Sequence, residues 1–129
     1  MTIRIMQAAD YEQVYALWFN TPGMGLNNLD DSRAGIKRYL LRNPDTCFVA
    51  EQEGNIIGTF LCGHDGRRGY IHHTAVAENE QRLGVGTALV NAVLFTLESE
   101  GINKAVLVVF DRNENGNAFR EKQGLILFC

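Results

Sequence analysis

Residues 70–100 constrain the fold of this chain more than any other stretch. An apolar, strand-like run from Tyr70 to Ala77 leads into Gln81-Arg82-Leu83-Gly84-Val85-Gly86-Thr87, and that turn opens a helix-like run reaching Glu100. Two glycines let a backbone turn tightly and approach a ligand closely. The first N–H groups of a helix lack intrahelical partners, and the helix dipole adds partial positive charge at the same end. Arg82 adds a full charge beside them. Strand, glycine turn and helix start together suit a phosphate-bearing ligand. A Gly-x-Gly pair can equally serve only to turn the chain. Thr87-Ala88-Leu89 supplies no third glycine, which excludes the dinucleotide fingerprint, and no Gly-Lys-Ser/Thr follows as a P-loop requires.

Gln81-Arg82-Leu83-Gly84-Val85-Gly86 resembles the Q/R-x-x-G-x-G/A motif of the GNAT superfamily, the acyl-CoA-dependent N-acetyltransferases. Downstream, Asn113, Phe119 and Glu121-Lys122-Gln123-Gly124-Leu125 are similar to that family's N-x-x-A-x-x-L/F-Y-x-x-x-G-F segment, at a fitting distance. The likeness runs from Ile3 to Leu125, carried in the first half mainly by element order. It implies that backbone N–H groups of Gln81, Arg82, Leu83, Gly84, Val85, Gly86 and Thr87 hold the pyrophosphate of acetyl-CoA as co-substrate. It further implies that Thr74, Ala75 and Val76 receive the pantetheine arm like an added strand. Asn113 and Phe119 match positions beside that arm. For Asn113 a helix N-cap is an equally ordinary role, and for Phe119 so is core packing.

The chain departs from the pattern at Arg120, where many members carry a tyrosine proposed as general acid. An arginine does not give up a proton near neutral pH. Arg120 could instead stabilise a developing thiolate or lie on the surface. The reaction also needs a neutral amine, so something must take a proton from an ammonium group. His72 and His73 are adjacent on the strand before the turn, and strict alternation predicts one on each face of the sheet. Either could serve as base or simply be a structural histidine. Glu51, Asp65, Tyr70 and Glu78 are weaker candidates.

The 129 residues and 46% hydrophobic content predict one domain, 1–129, with a full core. A net charge of -3 argues against nucleic acid. Cys47, Cys62 and Cys129 form no C-x-x-C and, with His64, His72 and His73, no zinc-ligand spacing. Buried free thiols and no metal site are expected, in a reducing compartment. Neither a signal peptide's apolar core nor a membrane-length apolar run occurs, so the expected place is the cytoplasm, with no membrane partner.

Taken in order, Thr2 to Met6 alternates as a strand, with Ile3 and Ile5 on one face. Asp10 and Gln13 are spaced as a capping box, and Tyr11, Val14, Tyr15 and Trp18 make an amphipathic helix ended by Thr21-Pro22-Gly23. A second helix starts near Asp31-Ser32, buries Ile36, Tyr39 and Leu40, and stops before Asn43-Pro44. Cys47 to Gln52 and Ile56 to Cys62 form a hairpin through Glu53-Gly54-Asn55, and Tyr70 to Ala77 completes a meander. The helix after the glycine turn buries Val85, Leu89, Val93 and Leu97 and ends at Gly101. Residues 105–110 read as an interior strand, Asn113 to Gln123 as the last helix and Leu125 to Cys129 as a short final strand.

The order β-α-α-β-β-β-α-β-α-β predicts an α+β fold, a mixed sheet flanked by helices. That is the GNAT order, with the family's last strand missing or short. An edge left so is a pairing liability, which makes a homodimer an expectation. The resulting function is transfer of acetyl from acetyl-CoA to a primary amine of a small molecule or peptide. A non-catalytic acyl-CoA-binding module and an unrelated nucleotide-binding domain are the other readings. Thr21 to Asp30 and His64 to Gly69 are the expected acceptor loops, the first presenting Met24, Leu26, Asn27, Asn28 and Asp30 with Asp31 beside them.

Overall fold

The computed structural model describes residues 1–80, 84–107 and 126–127. Gln81, Arg82, Leu83, Asn113, Phe119, Arg120 and the expected last helix lie outside the described residues. The described chain forms β1 (Thr2–Ile5), a 3-10 turn (Ala8–Asp10), α1 (Tyr11–Phe19), α2 (Arg33–Arg42), β2 (Phe48–Gln52), β3 (Asn55–His64) and β4 (Gly69–Val76). A second 3-10 turn (Glu78–Glu80), α3 (Val85–Ser99), β5 (Ala105–Leu107) and β6 (Ile126–Leu127) follow. The strands lie in chain order in one mixed sheet; β1 to β4 are antiparallel, and β5 joins β4, and β6 joins β5, in parallel. The fold is α+β, as the element order implies.

Two apolar clusters sandwich the sheet. On one face Val85, Leu89, Val93 and Leu97 of α3 meet Phe48, Ile57, Phe60 and Ile71. On the other, Val14 and Trp18 of α1 and Ile36 and Leu40 of α2 meet Val49, Leu61 and Ala75. α3 ends as its glycine predicts: Gly101 has φ 84, its N–H bonds Glu98 O at 3.0 Å, and Ile102 N–H reaches Leu97 O at 2.9 Å. This is the pattern of a helix closed by a left-handed residue, with Ile102 buried beyond it. The β2–β3 hairpin turns on Glu53 (φ 52) and Gly54 (φ 80), both positive as a two-residue type I′ loop requires.

Some local expectations change. Asp10 and Gln13 do not cap α1 as a box. Asp10 instead accepts both guanidinium nitrogens of Arg4 at 2.9 Å and the Gln7 N–H at 2.8 Å. Gln13 Oε1 accepts the Ile56 N–H at 3.0 Å, tying α1 to β3. Ile3 packs on the α3-side cluster, whereas Ile5 is exposed and Met6 is the buried residue after it.

The expected alternation at His72 and His73 fails for an identifiable reason. The β3–β4 register jumps from Leu61↔His72 to Thr59↔Ala75, so two residues of β4, His73 and Thr74, stand opposite Phe60. This is a β-bulge, and His73 takes φ 52 to make it. The extra residue shifts the phase of the strand. Ile71 faces α3, yet Ala75 packs with α1 and α2 and Val76 packs back on the α3 side. Both histidines consequently lie on the α2 side, ring centroids 5.1 Å apart.

Glycines set how closely the helices approach. A Cβ on Gly58 would lie 2.9 Å from Leu89 Cδ1 and 3.0 Å from Val85 Cγ1, so the start of α3 rests on β3 there. A Cβ on Gly35, inside α2, would meet the carbonyl oxygens of Leu29 and Asp30. Helix propensity alone favours Gly35→Ala by about 1 kcal/mol, but backbone oxygens cannot rotate away as a leucine methyl can. Gly35→Ala is therefore expected to destabilise by roughly 2–3 kcal/mol, and Gly58→Ala by about 1 kcal/mol. Urea midpoints of the two variants check this; a stabilised Gly35→Ala protein refutes the packing account.

Candidate active site

The site grows from three segments that meet at β4. Ser32 caps α2, its Oγ accepting the Gly35 N–H at 3.0 Å, and this fixes the chain just before it. The loop 27–31 closes on itself: Asn27 Oδ1 accepts the N–H of Asp30 at 2.7 Å, and Asp31 Oδ2 accepts the N–H of Asn27 at 2.9 Å. Tyr11 from α1 donates to Asp31 O at 2.7 Å. Asp31 is 3% exposed, and its other oxygen, Oδ1, is 2.6 Å from His73 Nε2. As a carboxylate Asp31 only accepts, so Nε2 of His73 carries the proton of this bond. The imidazole is fixed on a second side by Trp18, edge-on at 4.8 Å between centroids.

His72 has a different neighbourhood. Its Nε2 is 2.9 Å from the Tyr39 hydroxyl, and the two rings meet edge to face at 5.2 Å. Gly63 makes room for this pair, because a Cβ there would come within 2.9 Å of Tyr39 Oη. Burial, reinforced by His73 beside it, pulls the His72 pKa down from 6.5 to about 4. Burial also pushes the Tyr39 phenol well above its ordinary range, so it stays protonated. His72 is neutral at neutral pH and a weak base there.

These residues border a cavity of about 630 Å³. α2 contributes Arg38, Tyr39 and Arg42, the loop contributes Asn27, Asp30 and Asp31, and the β3–β4 region contributes Gly63, His64, Asp65 and Tyr70. The volume is that of a small-molecule site. Both expected acceptor loops reach it, but Met24 and Leu26 pack into the α1–α2 core instead. Of the weaker base candidates, Asp65 and Tyr70 line the cavity. The Asp65 carboxylate is occupied by the N–H groups of Arg67 and Arg68 at 2.9 Å and by the Tyr70 hydroxyl at 3.1 Å. Glu51 is ion-paired with Arg4 at 3.3 Å, and Glu78 lies exposed in the turn after β4. Sequence reasoning treated Tyr39 only as core and did not single out Arg38 or Arg42. A tyrosine at a core position of a helix was the available signal, since its hydroxyl needs a partner.

Around the other end of β4, Thr74, Ala75 and Val76 precede the turn that leads to α3. Gly84 occupies the N-cap of α3 with φ 82, and its carbonyl accepts the Ala88 N–H at 2.9 Å. Among the described residues, a Cβ on Gly84 would meet nothing within 4 Å. Val85 is buried, whereas Gly86 and Thr87 follow it on the opening turn. This arrangement fits a phosphate group held by helix-start N–H donors. Cys47 and Cys62 are buried free thiols, both pushed up to about 12 by burial. No group of three or more metal-ligating side chains occurs among the described residues. None of the described helices is long and apolar enough to cross a membrane.

The depressed His72 pKa has a consequence for stability. An unfolded chain binds this proton below about 6.5, whereas the native chain resists it until about 4. The stability contributed by neutral His72 is thus complete above 6.5 and is lost as pH falls through the native value. Urea midpoints should fall between pH 6.5 and pH 4, and His72→Gln should flatten that slope. An unchanged slope in the variant assigns the acid sensitivity to other groups.

Comparison with known proteins agrees with this geometry. The model of the Acetyltransferase (GNAT) family matches residues 11–125. An acetyltransferase of Photorhabdus laumondii is 32% identical over 118 residues, covering 88% of this chain and 78% of that relative. Among solved structures, Ard1 from Thermoplasma volcanium superposes with a TM-score of 0.83 at 25% identity, over 99% of this chain and 84% of that one. The PaiA N-acetyltransferase from Thermoplasma acidophilum, solved in complex with coenzyme A, has the same fold with a TM-score of 0.80 at 14% identity, over 95% and 87% of the two chains. With the glycine-capped α3 following β4 in a mixed sheet, and a family match over most of its length, this chain belongs to the GNAT family of acetyltransferases.

Proposed function

We propose that this acyltransferase moves an acetyl group from acetyl-CoA to a primary amine seated in the cavity between α2 and β4, with His73 as the base. The observation that carries the proposal is the His73–Asp31 pair at 2.6 Å on the wall of that cavity. Acetyl-CoA, the co-substrate of the family, supplies an activated thioester when bound. Its diphosphate is assigned to the turn at Gly84, Val85, Gly86 and Thr87 and its pantetheine arm to Thr74, Ala75 and Val76. Gln81, Arg82, Leu83, Asn113 and Phe119 keep the roles implied by the family pattern, and Arg120, which departs from it, is left to stabilise the leaving thiolate or to lie on the surface.

The chain's own residues then have separable tasks. Asp31 orients His73 through the bond to its Nε2. His73 accepts a proton from the ammonium group of the acceptor, directly or through one water. The freed nitrogen attacks the thioester carbonyl, a C–N bond forms, the C–S bond breaks, and the leaving thiolate takes up the proton that the attacking nitrogen gives up as it becomes an amide. His72 and Tyr39, both uncharged, keep this wall of the cavity from competing for the proton.

Following CoA release with a panel of amines tests the proposal. His73→Gln is expected to lower kcat by roughly 100-fold or more, with KM for acetyl-CoA little changed. Asp31→Asn should give a smaller loss in the same direction. A His73→Gln enzyme with wild-type kcat refutes the role of the base. Acetyl-CoA binding without turnover of any amine instead supports a non-catalytic module.

A further inference from the structure

The proposed acceptor site carries a second charge pattern that a simple amine does not explain. Arg38 and Arg42 lie four residues apart on α2, hence on one face, and both line the cavity. Among the described residues neither has an ion pair or a hydrogen bond, unlike Arg4 with Asp10 and Glu51 or Arg33 with Glu12. Like charges at this spacing weaken a helix. A position in the last turn accounts for Arg42 through the helix dipole. It does not account for Arg38, a turn earlier. On the same cavity, Asp30 and Asp31 supply carboxylates from the loop, whereas that of Asp65 is taken up by its own turn and Tyr70. One cavity thus holds carboxylates with His73 and, from α2, two solvent-exposed guanidinium forks without a partner among the described residues.

We infer that the acceptor is a small amine that also carries an oxyanion, a carboxylate or a phosphate. Its ammonium group sits towards Asp31 and His73 and its oxyanion against Arg38 and Arg42. Guanidinium forks match such oxyanions bidentately, and a cavity of about 630 Å³ accommodates a molecule of this size. The inference rests on the acceptor site proposed above and refines its substrate class.

The test uses matched pairs that differ only in the anion: a diamino acid against the corresponding diamine, and an aminoalkyl phosphate against the aminoalkanol. Binding to the full chain, with and without CoA, is measured by calorimetry, and turnover is measured in parallel. The anion-bearing member of at least one pair should bind roughly 10- to 100-fold more tightly. Arg38→Gln combined with Arg42→Gln should abolish the difference, and which pair shows it distinguishes carboxylate from phosphate. Equal binding within both pairs, or a preference that survives the double substitution, overturns the inference. A binding preference without acetylation of any amine leaves this assignment standing and refutes the transfer reaction instead.

Discussion

One additional residue in β4 determines where the proposed base of this protein lies. A regular strand would send His73 towards α3, into the apolar cluster around Phe60 and Leu89. The bulge turns it to the α2 side beside His72. A non-glycine residue in the left-handed region costs about 1–2 kcal/mol. A hydrogen bond to a charged group contributes about 1.5–3 kcal/mol. The bond to Asp31 at 2.6 Å is thus sufficient to offset the strain at His73. Asp31 in turn depends on the closed loop 27–31, and that loop sits against α2 because residue 35 has no side chain. Backbone strain, loop closure and one helical glycine form a single dependency ending at the imidazole.

The same strand separates the two ends of the proposed site. Its first residues, Gly69 to Ile71, pair with β5, and its last lead into the turn at Gly84. α3 reaches that turn low over the sheet because Gly58 admits Val85 and Leu89. Gly69 does the same for Leu97 at the far end. A helix seated at two glycine notches cannot slide along the sheet without losing both. The position of its N-terminus relative to His73 is therefore set by packing on β3 and β4. Precise placement of this kind is what a reaction between two bound substrates needs.

Much of the architecture was legible because it follows from period and punctuation. The stripe Val85, Leu89, Val93, Leu97, the stop at Gly101, the hairpin at Glu53-Gly54 and the end of α2 before Pro44 are local facts, decided within one or two turns of chain. The glycine turn also pointed to its ligand class, since helix starts bind anions for reasons that need no tertiary context. The face of His73 was not legible. A bulge depends on what β3 offers opposite, and nothing in Ile71-His72-His73-Thr74 marks it. Gln13 likewise had the spacing of a cap, but the N–H of Ile56, far away in sequence, claimed it. The Arg38–Arg42 pair reads as an ordinary solvated helix face until the cavity beside it is known.

The two histidines also constrain one another. At 5.1 Å, two imidazolium charges would repel by about 3 kcal/mol in a medium of effective dielectric near 20. Protonation of both rings together is therefore disfavoured, and the two rings have unlike surroundings. His72 faces a protonated phenol and little water, so its charged form has no compensation. His73 instead bonds a buried carboxylate through Nε2. The division follows from partners alone: Tyr39 from α2 for one ring, Asp31 from the loop before α2 for the other. The wall of the proposed acceptor site thus presents one imidazole held by a carboxylate beside a second that stays neutral. The bulge that brings the rings together and the different partners that keep them unlike are both required for that asymmetry.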